Sequence, residues 1–374
     1  MTAVLIVTWD GGGNVPPALG LAAELLARGH SVTVLGHPSQ RAEVEAVGAA
    51  SVDYRTLPRW NPRALDGALA FASGYLRLFT DGRFGSEVRD AIDRFDPDVV
   101  VVDALLPAAM RAAVDSGRPT AVLVHTVLSA VEQIARGPVG GLAALKGFSF
   151  SRGLEGADAL LIASPEAIAT APAPASARYV GPIPAPGETA PAEAERGSRR
   201  VLVSLSTIQY PGMQSVLQGL LDAIGTLPVE AVVTTGPAID PADMRVPANA
   251  EVHRRVPHAE VLPHIGLVIG HGGHGTASKA LTAGVPVLVR ALSSLGDHLA
   301  VAAGLEHAGV GRRLSRRLSR DELAHAIIGA LDDAELHDRS RAVGLSLRAM
   351  DGASLGADVV ERTAGAARPG RTSP

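Results

Sequence analysis

Leu267-Val268-Ile269-Gly270-His271-Gly272-Gly273-His274-Gly275-Thr276 reads as a short buried strand running through a glycine-rich turn into a helix. The helix is expected to start near Thr276 and to continue through Lys279-Ala280-Leu281. Such a junction suits an anion. Glycines permit close backbone approach, and the first free N–H groups of a helix, at the positive end of its dipole, attract phosphate oxygens. His271 and His274 add side-chain donors and Thr276 a hydroxyl, an inventory that matches a diphosphate better than a single phosphate. A glycine turn alone can be mere punctuation. Here Ala283-Gly284-Val285-Pro286-Val287-Leu288-Val289 follows as a helix stop and a further buried strand, so the turn sits inside a repeating strand-helix pattern.

That pattern extends through the chain. Before the linker the expected strands are Val4–Val7, Ser31–Leu35, Val99–Val102, Thr120–Val124 and Ala159–Ala163, with Leu19–Ala27 and Ala104–Val114 among the helices. A second series runs through Val201–Ser204, Val229–Thr234, Leu267–Ile269 and Val287–Val289. Strands alternating with helices give βαβ units, hence an α/β fold of two doubly wound parallel sheets. Residues 181–200 hold four prolines among Gly, Glu and Ala and read as a linker. The expected division is therefore 1–180, linker 181–200, 201–354, and a terminal segment 355–374 whose end, Ala364–Pro374, reads as disordered. Two Rossmann-like domains then face each other across a cleft, and ligands in such sheets bind beyond the carboxyl ends of the strands.

Composition excludes several classes. The 374 residues exceed one ordinary core and suit two domains, and 47% hydrophobic residues with positive mean hydropathy supply covered parallel strands. No cysteine is present, which removes disulfides and thiolate metal sites. A net charge of −4 gives no field for nucleic acid, and no apolar run reaches the length of a membrane span. Met1-Thr2-Ala3 leads into the first strand without a basic leader, so a cytoplasmic location is expected. Asp96-Pro97-Asp98 has the spacing of a metal-binding Asp-x-Asp, but it opens a strand rather than following one, and no metal site is expected.

The chain resembles the inverting GT-B glycosyltransferases of family 1, the group of the UDP-glucuronosyltransferases and of bacterial enzymes that glycosylate antibiotics. Gly13-Asn14-Val15-Pro16-Pro17 with Arg28-Gly29-His30 is similar to the family's opening segment, and Pro97–Asp103 to its central strand ending in aspartate. Val256-Pro257-His258, Leu262-Pro263 and the His271 block are similar to its sugar-nucleotide signature. The resemblance implies an acceptor-binding N-terminal domain, a nucleotide-sugar-binding C-terminal domain and a last helix, around Leu355–Thr363, that crosses back. It implies a donor site of Ser206, Thr207, Val256, His258, His271, Gly272, Gly273, His274, Gly275 and Thr276, with Asp297 and His298 on the sugar hydroxyls. No cofactor is implied beyond the nucleotide sugar itself, linked to dTDP or UDP. Asp297-His298 departs from the family's Asp-Gln or Glu-Gln, and Lys279 stands where UDP-using members often carry a ribose-binding glutamate, which favours dTDP.

On the acceptor side the family uses a histidine as base, and Asn14 occupies that position. An amide cannot take a proton. Asp103 matches the aspartate that orients the histidine, and three replacements are open: Asp10 on the glycine-rich turn, Asp103 itself, or His125 at the end of its strand. Each also has an ordinary reading, as turn former, helix cap and buried core histidine respectively. An acidic acceptor such as a phenol or enol relaxes the need for a base. Six of the twelve aromatic residues fall between Asp53 and Arg89. They read as core packing or as the wall of an acceptor pocket formed by Trp60, Phe71, Tyr75 and Phe79.

The expected activity is metal-independent transfer of a sugar, deoxysugars included, from an NDP donor to a hydrophobic small molecule. A silent sugar-nucleotide-binding homologue that lost its base is the competing class, and a sugar-nucleotide epimerase a third. The expected partners are donor and acceptor, without nucleic acid or membrane, and a homodimer is open to such a chain.

Overall fold

Buried strands form where apolar residues run without interruption, and nine such runs become the inner strands of two sheets. The computed structural model describes residues 1–61, 67–294 and 296–366. In the first sheet β1 (Ala3–Val7), β2 (Ser31–Gly36), β3 (Ala50–Asp53), β4 (Val99–Asp103), β5 (Thr120–Val124), β6 (Ala159–Ile162) and β7 (Ala177–Tyr179) lie in the order β3-β2-β1-β4-β5-β6-β7. In the second, β8 (Arg200–Ser204), β9 (Glu230–Thr234), β10 (Ala250–His253), β11 (Leu267–Gly270), β12 (Val287–Val289) and β13 (Gly311–Arg313) lie in the order β10-β9-β8-β11-β12-β13. Every pairing is parallel.

The four strands not expected from sequence, β3, β7, β10 and β13, are the four sheet edges. An edge is open to solvent and needs no continuous apolar run; Ala250-Glu251-Val252-His253 alternates half-buried and exposed residues, whereas Val99–Asp103 is buried throughout. Helix starts also shift. Val15–Ala27 begins earlier than Leu19 because Pro16 falls in the first turn, where no N–H is needed. Pro107–Asp115 begins later than Ala104, with Pro107 again in the first turn and Ala104–Leu106 forming a bend. His274–Thr282 starts two residues before the expected Thr276, capped at Gly273, which places Gly275 and Thr276 in its first turn.

The chain order reverses between β1 and β4 and again between β8 and β11. At such switch points the loops diverge to opposite faces and leave a crevice. The four loops concerned follow Val7, Asp103, Ser204 and Gly270, so both crevices are built from segments singled out in the sequence.

Residues 181–200 are tied to both domains at a few buried positions. Ile183 joins the first domain's core, while Ala194 N donates to Ala283 O at 2.9 Å and Glu195 N to Pro263 O at 2.8 Å on the second. The last helix, Gly352–Gly365, starts three residues before the expected 355 and buries Ala357, Val359 and Val360 against the first domain. Arg28 clamps it through Asp358 at 2.7 Å and Glu361 at 3.1 Å, and His30 Nε2 lies 2.8 Å from Glu361. Ala364 and Gly365 are thus helical, contrary to the expected disorder, and 367–374 lie outside the described residues.

Between the domains the helix His298–His307 packs on the turn Glu166–Ile168, and Val127, Ala130 and Ile168 of the first domain share an apolar cluster with Val301 and Leu305 of the second. Gly304 makes the approach possible: a Cβ there would stand 2.3 Å from Ile168 O. Alanine would gain roughly 1 kcal/mol of helix propensity. The obstacle is backbone and cannot rotate away, so overpacking of about 1–3 kcal/mol outweighs that gain. We expect Gly304→Ala to lower the melting temperature in calorimetry; an unchanged or higher value would show that the domains separate there at no cost.

Candidate active site

Asp103 ends β4 at the first switch point and is 1% exposed. A buried carboxylate needs partners on both oxygens. Oδ1 accepts from Leu105 N at 2.9 Å, forming a local turn rather than the cap of a helix at Ala104. Oδ2 accepts from Asn14 Nδ2 at 3.3 Å and lies 2.9 Å from His125 Nδ1, a charge contact off the hydrogen-bond line. Asn14 is itself buried. Its Nδ2 also donates to Trp9 O at 2.7 Å and Thr8 Oγ1 at 3.2 Å, and its Oδ1 accepts from Gly11 N at 3.0 Å. It is a strut tying the glycine turn to Asp103.

His125 follows β5, one strand over, and its side chain keeps 11% of its surface exposed. Burial pulls its pKa down, but the Asp103 charge and contact, helped by Asp297, outweigh burial and hold it above the ordinary histidine value. With Nδ1 on Asp103, Nε2 is the nitrogen left for another partner. Asp10 is differently placed. Its Oδ2 accepts from Ser39 Oγ at 2.7 Å, and its carbonyl accepts from Trp60 Nε1 at 2.5 Å, which fixes the turn against the aromatic segment.

The second switch point carries the histidines. Gly272 has φ +93°, and a Cβ on it would meet His298 O at 2.7 Å, so only glycine lets the loop tuck beneath Asp297-His298. The His271 and His298 rings meet edge to face at 4.7 Å between centroids. Burial, reinforced by the neighbouring His298, holds His271 well below the ordinary value. His274, which contacts Ser278 Oγ at 3.3 Å, is pushed down to about 4 by burial against the opposing pull of Asp297. Burial also lowers His298, with Asp297 opposing and Arg316 adding. His258 Nε2 lies 3.2 Å from Ser204 Oγ at the end of β8, with Val256 half-buried nearby.

The two halves meet. Thr126 Oγ1 donates to Asp297 Oδ2 at 2.8 Å, joining the residue after His125 to the residue before His298. Thr207 Oγ1 lies 3.6 Å from where a Cβ on Gly12 would stand, while Ser206 Oγ turns back to accept from Ile208 N at 3.0 Å. The aromatic segment reaches across as well: Trp9, Trp60, Tyr75 and Phe79 pack edge to face, Phe71 sits 4.7 Å from Tyr75, and Phe71 meets Tyr210 at 4.9 Å with the rings tilted by 47°. Tyr210 in turn lies 5.0 Å from His298. Phe71 and Phe79 are buried, whereas Trp60 and Tyr75 are half-buried, so core packing and pocket wall are both represented.

Sequence reading missed Trp9, Tyr210 and Thr126. Tyr210 was the most accessible of these, being a lone aromatic in the Pro-Gly loop after β8. Asp98 Oδ2 accepts from Ala3 N at 2.7 Å, at the amino end of the sheet and opposite the crevice.

Comparison with known proteins accords with this architecture. Residues 12–179 match the glycosyl transferase 4-like domain, and residues 218–351 the C-terminal domain of erythromycin biosynthesis protein CIII-like proteins. The chain is 26% identical to 4'-demethylrebeccamycin synthase of Lentzea aerocolonigenes over 96% of its own length and 98% of the relative's. It is 26% identical to the oleandomycin glycosyltransferase of Streptomyces antibioticus, covering 93% of this chain and 88% of that one. The solved structure of the glycotransferase of kitacinnamycin superposes with a TM-score of 0.75 at 24% identity, covering 96% and 98% of the two chains. The spinosyn forosaminyltransferase SpnP gives 0.75 at 18%, covering 98% and 100%. The fold is GT-B, two Rossmann-like domains across a cleft. Both halves of the chain match glycosyltransferase-related models and its full-length relatives are glycosyltransferases; the chain is a glycosyltransferase.

Because Asp103 supplies the charge that opposes burial at His125, Asp103→Asn should drop the His125 pKa below the ordinary histidine value. NMR titration of the ring resonances reads this directly. A pKa that stays above that value in the variant would transfer the effect to Asp297.

Proposed function

We propose that this enzyme transfers a sugar, with inversion and without a metal ion, from a dTDP- or UDP-linked donor to a hydrophobic small-molecule natural product. His125 serves as general base, oriented by Asp103. The observation that carries the base is the contact of Asp103 Oδ2 with His125 Nδ1 at 2.9 Å in a pocket where Asn14 holds the same oxygen. In this reading the acceptor hydroxyl approaches Nε2, gives up its proton as its oxygen attacks the anomeric carbon, and the imidazolium that forms is stabilised by the buried carboxylate. Asp10 is less suited, since its carboxylate is engaged with Ser39 on the far side of the turn.

On the donor side, the diphosphate is taken by the free N–H groups of His274, Gly275 and Thr276 at the start of the helix, with His271 beside them. Negative charge grows on the leaving phosphate as the glycosidic bond breaks, and donors already in place stabilise it. Asp297 and His298 are assigned to sugar hydroxyls. Two names support the acceptor class: the relatives spanning most of the chain are a 4'-demethylrebeccamycin synthase and an oleandomycin glycosyltransferase. A thymidine diphosphate complex of the spinosyn rhamnosyltransferase SpnG, 21% identical with a TM-score of 0.69 and covering 96% and 100% of the chains, supports a nucleoside diphosphate leaving group.

His125→Ala should slow transfer to an alcohol by about 10²–10⁴-fold, the usual worth of a general base, with nucleotide affinity unchanged in a binding titration. Near-normal turnover would move the base elsewhere, and Asp10→Asn would be the next variant to assay. The pH profile follows from the raised pKa. The active form is neutral imidazole, so kcat/KM falls as pH drops through a value above the ordinary histidine one and is flat above it. A profile flat down to pH 5 contradicts the assignment.

His271→Ala should cost roughly 10²–10³-fold, more in turnover than in nucleotide affinity, because the donor acts on charge that develops only during bond breaking. Equal losses in both would make it a ground-state contact. Turnover should persist in excess EDTA; loss restored by Mg²⁺ or Mn²⁺ would refute the metal-free reading.

A further inference from the structure

The segment between the domains holds a carboxylate that the transfer chemistry leaves unused. In Ala185-Pro186-Gly187-Glu188, Glu188 N donates to Ala185 O at 3.0 Å and Gly187 has φ +75°. Proline followed by a glycine of positive φ at the centre of a four-residue turn is the type II pattern, so the backbone carrying Glu188 has little freedom. The side chain is held too. Oε2 accepts from Ala185 N at 3.4 Å, and Oε1 is paired with Lys279 Nζ. With 29% of its side-chain surface exposed, the carboxylate remains reachable by a ligand.

Its position relative to the donor loop follows from the helix. Lys279 lies five residues beyond His274 on His274–Thr282, about 7–8 Å along the axis from the end that faces the diphosphate. His258, at the end of β8 through Ser204, senses both groups: burial and the Lys279 charge lower it and Glu188 opposes them. Glu188, paired with Lys279, therefore stands beside that helix about one and a half turns from its first residue, a distance that under the diphosphate reading matches the pentose.

We propose that Glu188 accepts hydrogen bonds from the pentose hydroxyls of the donor nucleoside, with Lys279 holding the carboxylate in position. The inference rests on the diphosphate reading above. An ionised carboxylate is suited to this task, because it accepts from neutral hydroxyls without a proton of its own, as acidic residues do for ribose in dinucleotide sites. Lys279 is neutralised by the pairing, so its place on the phosphate-loop helix is that of a support rather than a phosphate ligand.

A thermodynamic cycle tests it. Calorimetric titrations compare dTDP with 2′,3′-dideoxythymidine diphosphate, and UDP with 2′-deoxy-UDP, on the native enzyme and on Glu188→Gln, with folding checked by circular dichroism. On the native enzyme, removing the hydroxyl that Glu188 reads should weaken binding roughly tenfold or more. In Glu188→Gln that penalty should shrink to within about twofold for at least one of the two pairs. The inference is overturned if both ratios are the same in the two proteins, even where Glu188→Gln weakens every nucleotide alike, since a uniform loss marks a structural role. If no nucleotide binds the native enzyme, the diphosphate reading fails and this inference fails with it.

Discussion

A carboxylate with 1% of its surface exposed, Asp103, is the constraint around which the acceptor side is organised. An uncompensated charge at such a depth is costly enough that one missing partner destabilises the fold. The partners come from three places distant in sequence: the bend after β4, the glycine turn after β1 and the end of β5. Satisfying Asp103 therefore locks together the three loops that line the first crevice. Asn14 illustrates the economy of this arrangement. It gives up any capacity to accept a proton, yet it donates to the same oxygen that His125 faces and keeps the Trp9–Gly13 backbone in place.

The donor side is organised by the opposite condition. His258, His271, His274 and His298 are all shifted toward the neutral form, in each case chiefly by burial. With the charged form of these imidazoles disfavoured, attraction for a diphosphate, on the proposed reading, begins with the helix N–H groups at His274–Thr276. An arriving dianion then opposes the burial effect on the nearest ring and favours its protonation.

Much of this was legible locally. The nine inner strands follow from uninterrupted apolar runs, because a parallel strand covered on both faces has no alternative composition. The four edge strands were not legible, since one open side allows polar and alternating residues such as Gly311-Arg312-Arg313. The anion loop was readable because strand, glycines and helix are contiguous. What could not be read is the pairing of distant residues. From sequence Asp10, on the same glycine-rich turn as Asn14, looked better placed than His125, and the choice between them depends on which one reaches Asp103 and which one finds Ser39. The contacts that tie down the linker were illegible for the same reason, as Ala283, Pro263 and Lys279 lie far away in sequence.

The hydrogen bond from Thr126 to Asp297 joins these two regimes. Thr126 is covalently next to the proposed base, and Asp297 is next to His298, whose ring lies against His271. A shift of one domain against the other must then move the base and the donor-side residues as a coupled set, or break that bond. Reaction geometry for in-line attack is sensitive to displacements of about 1 Å. A polar tie placed at the cleft, one residue from each half of the chemistry, makes the distance between acceptor and donor groups a property of domain closure rather than of either loop alone. The contact of Gly304 with Ile168 lies about two turns further along the same helix and limits how closely the domains approach. On the proposed reading, the separation of base and donor-side residues is limited by the backbone contact at Gly304 and oriented by the hydrogen bond from Thr126 to Asp297.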